Sequence, residues 1–390
     1  MGRFEGAGRE VKFEISESFG SGNDAGMVRG ASLWKEEPPD WGAGSSFMLL
    51  NPRMPDALRR QILAADFPDL PDHVWLATSG TGGRFKLVAL AREAVEASAR
   101  AVNAHLGASA HDVWINPLPL FHVGGLGILV RAHLAGSRCE IFRSAWDPQQ
   151  FVDAVRRRDA TLSALVPTQV HDLVRAGLAA PECLRGVVVG GGVLKEELFA
   201  RAVGLGWPLL PSYGLTEAAS QVATAMLGLG ASAWLPLLSH MEARVGEGGV
   251  LELSGNSLLT GWMIFEANGT ACWEDPKSGG WYRTGDRADL RGAEVRVLGR
   301  TDDLVKIRGE LLDVATLERA LQERVPSGLV RLDIESDERT GSKLRVCAEN
   351  QHALAEARSA LEIFPSYARP EAFEVAPIER SALGKTVRSR

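Results

Sequence analysis

The chain has 390 residues, 45% hydrophobic and 24% charged, with 43 Lys and Arg against 49 Asp and Glu, a net charge of −6. That length is a prior for two or three domains with a sizeable core. The acidic balance speaks against nucleic-acid binding through bulk electrostatics, which needs a basic stripe.

The four cysteines, Cys139, Cys183, Cys272 and Cys347, form no CxxC pair, which argues against a zinc site or a disulfide framework. The first residues lack the apolar core of a signal peptide. No apolar run reaches the ~18 residues of a membrane helix, so a cytoplasmic protein is expected. Residues 1–45 are rich in Gly, Glu and Pro, and the glycines of SFGSGNDAGMVRG form no phosphate-loop signature and read as a flexible segment. FMLLNPRMPDALRRQIL reads as an apolar patch and a helix. HVWLATS and KLVAL read as strands, and AREAVEASARAVNAHL as an amphipathic helix. DVWINPLPL and RCEIF read as strands, PQQFVDAVRRR and PTQVHDLVRAGL as helices, with Arg156–Arg158 as a solvated face. LRGVVVGGG is a buried strand ending in glycines, followed by the helix KEELFARAVGLG. This alternation predicts βαβ units and a mostly parallel sheet flanked by helices. Ligands of such sheets sit beyond the carboxyl ends of the strands, where both glycine-rich loops fall. From about 240 to 299 the pattern turns to β alternation broken by Gly and Asn, a small β subdomain. From about 303 to 390 it predicts a compact α+β domain.

Within ATSGTGGRFKLVAL, residues 77–90, Thr78, Ser79, Gly80, Thr81, Gly82 and Gly83 precede Lys86. Amides freed by glycine, hydroxyls and one ammonium suit an anion. The loop is not a Walker A motif, which needs GxxxxGK followed by Ser or Thr. In SYGLTEAASQ, Tyr213 can stack on a purine, Thr216 can reach a phosphate, and Glu217 can ligate Mg²⁺, which prefers oxygen. The same stretch also reads as a helix N-terminus capped by Thr216. YRTGD sets Asp286 in a turn, either for ribose hydroxyls or as an Asx turn.

In this order and spacing, with GRTDDLVKIRG and ERSALGKTVRSR, the motifs resemble the adenylate-forming enzymes: acyl-CoA synthetases, adenylation domains and luciferases. The resemblance spans residues ~75–390. It implies an α/β fold with a large N-terminal domain, residues 1–301, holding mostly parallel sheets flanked by helices and a small β subdomain. A small mobile α+β C-terminal domain, residues 302–390, would follow a hinge at Asp302. It implies that a carboxylate attacks the α-phosphate of ATP and that a thiol, usually CoA, takes the acyl group from the adenylate. By resemblance the loop 78–86 holds the β- and γ-phosphates. Gly190, Gly191 and Gly192 with Tyr213 and Gly214 hold the adenine, Thr216 the α-phosphate, and Asp286 and Arg300 the ribose. Glu217 binds Mg²⁺, Lys385 bridges carboxylate and α-phosphate, and Lys306 and Gly309 lie on the face that replaces it for CoA. The loop departs from the family pattern at Gly82, Phe85 and Leu87. The chain before it is short for the family, which implies a trimmed N-terminal subdomain and leaves homo-oligomerisation open.

NPLPLFHVGGLGILVRAHLAG, with LLNPRMP and TEAASQVAT, is most similar to the o-succinylbenzoate–CoA ligases of menaquinone synthesis. His122 and Gly124 would line the acyl pocket. Ser220 and Gln221 would donate to a second carboxylate, with Arg131 a weaker candidate because it is expected to face solvent. A CoA ligase for another aryl or medium-chain acid, and a non-catalytic nucleotide-binding relative, are the alternatives.

Overall fold

The computed structural model describes residues 13–15, 31–33, 41, 46–52, 54–79, 85–142, 144–228, 232–266, 269–301, 304–307, 310–326, 328–337, 341–364 and 368–378. The glycine-bearing segment 18–30 lies outside them.

The alternation of short apolar runs and helices produces a six-stranded sheet. Its order is Ser220–Thr224, Leu209–Leu215, Gly186–Val189, Leu162–Leu165, Val113–Asn116 and Arg138–Ile141. All its pairings are parallel except the edge pair Leu209–Leu215 with Ser220–Thr224. Its buried strands carry apolar residues on both faces, as a sheet covered on both sides requires. Val113, Ile115, Val187, Val189 and Leu209 meet the helices Pro148–Arg158, Pro167–Arg175 and Glu196–Gly204. Trp114, Leu162, Ala164 and Val188 face the opposite way.

A seven-stranded sheet lies on the other side, ordered Ala271–Glu274, Gly261–Phe265, Phe85–Ala91, His73–Ser79, Phe47–Leu49, Phe13–Ile15 and Ala31–Leu33. It is parallel from His73–Ser79 towards Ala31–Leu33 and antiparallel in the other direction. Two helices fill the space between the sheets. Arg92–Leu106 gives Val95 and Ala99 to one core and Val102 and Leu106 to the other. Val123–Ala135 gives Leu126 and Val130 to the first and Ile128 and Ala132 to the second. A helix packed on both sides must be apolar all round. That explains its sequence, VGGLGILVRAHLA.

A third sheet, ordered Leu235–Pro236, Glu294–Arg300, Trp281–Arg291, Val250–Gly255 and Met241–Val245, with Lys277–Ser278 beside Trp281–Arg291, is the small β subdomain. Beyond it, Leu304–Ile307 pairs with Glu310–Asp313. A three-stranded sheet of Val330–Asp337, Gly341–Ala348 and Ala372–Val375 then packs with the helices Val314–Arg324 and Gln351–Leu361 around a separate core.

Two local expectations change, and one helix is new. The strand begun by DVWINPLPL ends at Asn116, because Pro117 and Pro119 cannot donate to a ladder. Residues 123–135 form a helix that Gly124, Gly125 and Gly127 hide from a propensity reading. The helix expected after Tyr213 is a single 3₁₀ turn, Thr216–Ala218, at the end of a hairpin.

Candidate active site

One cleft of about 2730 Å³ collects the carboxyl ends of the parallel strands and the inner edge of the third sheet, and it reaches the helix Val314–Arg324. Lys86, Gly191, Gly192, Tyr213, Gly214, Thr216, Glu217, Asp286 and Arg300 all line it.

The glycines are there for shape. Strand Gly186–Val189 stops at Gly190, whose added Cβ would crowd Ser212 Oγ at 3.0 Å, and Gly191 has a left-handed φ of 74°. The register of the Leu209–Leu215 hairpin shifts between Tyr213 and Gly214. A side chain at Gly214 would overlap the Ser220 carbonyl. The hairpin corner is strained as well: Ala219 and Ser220 have φ of 50° and 109°. Such values persist where surrounding structure enforces them, often at functional sites.

Asp286 and Arg300 are cross-strand partners in the third sheet. Arg300 Nη1 lies 3.3 Å from Asp286 Oδ1. Tyr213 Oη donates to Asp286 Oδ2 at 2.6 Å. The backbone N–H of Asp286 donates to Thr284 Oγ1 at 3.1 Å, and that hydroxyl donates to the Leu251 carbonyl at 2.8 Å. Burial, then the Asp286 carboxylate, pushes the Tyr213 phenol well above its usual range, so it stays a donor. Burial also raises Glu217, while Lys86 and Arg300 pull it back and Asp286 adds to the rise. Lys86 Nζ lies 3.4 Å from the centre of the Trp262 ring.

The apolar wall follows from a tight turn. Asn116 donates through Nδ2 to the Gly125 carbonyl at 3.0 Å and accepts from the Leu118 N–H at 3.0 Å. A Cβ on Gly125 would overlap the Pro119 carbonyl, so glycine brings the helix start against the turn. Leu118, Leu120, Phe121 and His122 thereby face the cleft, with the His122 and Phe121 rings 4.6 Å apart.

The acyl-side expectations need correction. Gly124, Ser220 and Gln221 are not among the cleft-lining residues. Ser220 and Gln221 are buried against Arg131, which is only 1% exposed rather than facing solvent. Arg131 Nη2 donates to Ser220 Oγ at 3.1 Å. With its amide oxygen turned to the guanidinium, Gln221 accepts from both Nη atoms at 3.0 and 3.1 Å. The helix Val123–Ala135 is enclosed by two cores, which leaves Arg131 no route to water. No carboxylate among the described residues pairs with it, and burial lowers its pKa to about 10. Trp262 was missed by sequence reasoning; its only sign is an aromatic after Gly261 in LLTGWM.

Gly80, Thr81, Gly82, Gly83, Asp302, Gly309 and Lys385 lie outside the described residues. Thr78 lines the cleft, and Ser79 ends its strand. Lys306 is on strand Leu304–Ile307. No group of three or more His, Cys, Asp or Glu that could hold a metal occurs among the described residues. The Glu217 carboxylate in the cleft fits Mg²⁺, which keeps few protein ligands and takes the rest from phosphate and water. No helix among the described residues is long and apolar enough to cross a membrane.

Residues 67–247 match the AMP-binding enzyme family. The 2-succinylbenzoate–CoA ligase of Bacillus licheniformis is 31% identical over 261 residues, 63% of this chain and 53% of that one. That of Enterococcus faecalis is 29% identical over 267 residues, with the same two shares. The chain thus spans about half the length of the curated relatives it matches. In fold it is similar to o-succinylbenzoate CoA synthetase from Bacillus subtilis in complex with its acyl-adenylate intermediate. The TM-score is 0.73 at 21% identity, covering 88% of this chain and 82% of that one.

Proposed function

We propose, from the match of residues 67–247 to the AMP-binding enzyme family, that the chain is an AMP-forming acid–CoA ligase whose acid is o-succinylbenzoate. The observation that carries the reading is the meeting, in one cleft, of the paired Asp286 and Arg300 with Thr216, Glu217 and Lys86 beside the apolar wall 118–122. The curated relatives are named for this acid.

Asp286 accepts the ribose hydroxyls, and Tyr213 and Arg300 hold its carboxylate in place. The adenine lies along the glycines 190–192, of which Gly191 and Gly192 line the cleft. Lys86 and the loop 78–83 take the β- and γ-phosphates, and Thr216 the α-phosphate. Mg²⁺ on Glu217 supplies charge neutralisation of the polyphosphate. Adenylation moves negative charge onto the α-phosphate oxygens and the departing pyrophosphate, so fixed cations do most of the work. Lys385 serves there, from a C-terminal domain of residues 302–390 that pivots at Asp302. In the second half-reaction the CoA thiol displaces AMP from the acyl carbon, and the face bearing Lys306 and Gly309 replaces Lys385. Arg131, on the helix that follows the wall, is a buried cation held by neutral partners, a field that favours an acid with a second, distal carboxylate.

The test measures pyrophosphate release and CoA thioester formation with o-succinylbenzoate and with its analogue lacking the ring carboxylate. The analogue is expected to show the lower kcat/KM, because the buried Arg131 charge acts on the distal carboxylate alone. Arg131→Met narrows the ratio. Equal turnover of the two acids overturns the substrate, and no pyrophosphate release with any acid overturns the reaction.

A further inference from the structure

Lys86, on strand Phe85–Ala91, is directly opposite Ile264 of strand Gly261–Phe265 in an antiparallel register. Residues two apart on a strand share a face, so Trp262 lies diagonally from Lys86 on the same side of the sheet. The lysine stem spans that diagonal, and its ammonium rests 3.4 Å from the ring centre. On its other side Lys86 is the cross-strand partner of Thr78, at the root of the anion loop. The indole itself is fixed. Trp262 is 7% exposed, its Nε1 donates to Glu274 Oε2 at 3.2 Å, and it meets the edge of Tyr282 with ring centres 6.0 Å apart. Both Lys86 and Trp262 line the cleft.

We propose that Trp262 is a positioning residue for polyphosphate binding: its indole face holds the Lys86 ammonium in the cleft beside Thr78 while that ammonium bonds the β- and γ-phosphates. The inference rests on the nucleotide reading above and adds a residue that acts through Lys86. Trp is the strongest side-chain partner for a cation, and its hold grows with desolvation. A lysine that roams in solvent loses its rotamer freedom when it takes a phosphate. One laid on a fixed indole has already lost it, and the anion meets a charge in place.

The readout is calorimetric binding of MgATP and of AMP to the full chain carrying Trp262→Phe, Trp262→Leu, Lys86→Met and the Trp262→Phe/Lys86→Met pair. AMP lacks the phosphates that Lys86 takes, so damage to the fold weakens both ligands and loss of positioning weakens only one. MgATP binding is expected to fall about threefold in Trp262→Phe and about tenfold in Trp262→Leu, with AMP binding unchanged. In the Lys86→Met background Trp262→Phe is expected to add nothing, the signature of a coupled pair. Should Trp262→Leu fail to fold, the Phe variant and the double variant still decide. Unchanged or tighter MgATP binding in Trp262→Phe, an equal loss for AMP, or an effect that persists without Lys86 overturns the proposal. Absence of both MgATP and AMP binding in the unaltered chain overturns the nucleotide reading beneath it, a result distinct from these.

Discussion

At the scale of single residues, the proposed nucleotide side of the cleft depends on small groups that leave room for charged ones. Gly285 stands between Asp286 and the guanidinium of Arg300, and a Cβ there would overlap that guanidinium. The atoms met are the far end of a flexible side chain, so Gly285→Ala folds but displaces Arg300 from Asp286. A hydrogen bond to a charged group contributes ~1.5–3 kcal/mol. AMP binding is therefore expected to weaken by about tenfold or more with little change in Tm, which calorimetry and a melting curve check together. Undiminished AMP affinity would show that the Arg300–Asp286 pair has no part in ribose binding. Sequence alone offered Asp286 both as a ribose ligand and as an Asx turn. The tyrosine, threonine and arginine that surround it in space explain why its carboxylate is held facing the cleft.

At the scale of elements, the parallel sheet is tied at the amino ends of its strands, opposite the cleft. Asp112 precedes strand Val113–Asn116 and receives Arg185 Nε at 2.8 Å and Nη2 at 2.9 Å. It also accepts from the Thr161 hydroxyl at 2.7 Å and the Ser109 N–H at 2.8 Å. Arg185 further donates to the Leu106 carbonyl, which ties in the end of the helix Arg92–Leu106. Burial alone would raise the Asp112 pKa, but these donors overcome it and bring it from 3.8 to about 2. A depressed folded-state pKa gives stability that is present above the unfolded value and lost as pH falls through the folded one. Asp112→Asn is expected to cost about 2 kcal/mol at neutral pH. The gap between the two proteins should close as pH falls from about 4 to 2. Denaturant midpoints across that range test it, and a pH-independent gap would mean that the carboxylate charge is not what matters.

At the scale of the whole molecule, the proposed reaction needs two arrangements of the same parts. Lys385 is wanted only while the α-phosphate is attacked, and the thioester step proceeds without it. Loss of one oriented charge contact at a transition state costs ~10²–10³ in rate. Lys385→Ala is expected to lose adenylation by that factor and to convert a supplied acyl-adenylate to the thioester at an unaltered rate. Single-turnover assays of each half-reaction separate the two. Equal losses in both would rule out the pivoting of residues 302–390.

What the chain order settles is local. The hydrophobic periodicities of HVWLATS, LRGVVVGGG and PQQFVDAVRRR specify strands and a helix by themselves, because burial on one or both faces imposes a period that any reader can count. The ordered motifs around Lys86, Tyr213, Glu217 and Asp286 likewise mark the residues that meet in the cleft, because amides, hydroxyls and charges at close spacing must come from neighbouring residues. Contacts between distant segments were decided only in three dimensions. The burial of Arg131, the turning of Ser220 and Gln221 towards it, and the meeting of Lys86 with Trp262 depend on strand register and helix burial. A one-residue slip of strand register would put Ser220, Gln221, Lys86 or Trp262 on the other face. Register is fixed by the packing of two sheets on the helices between them, and no stretch of sequence carries that packing alone.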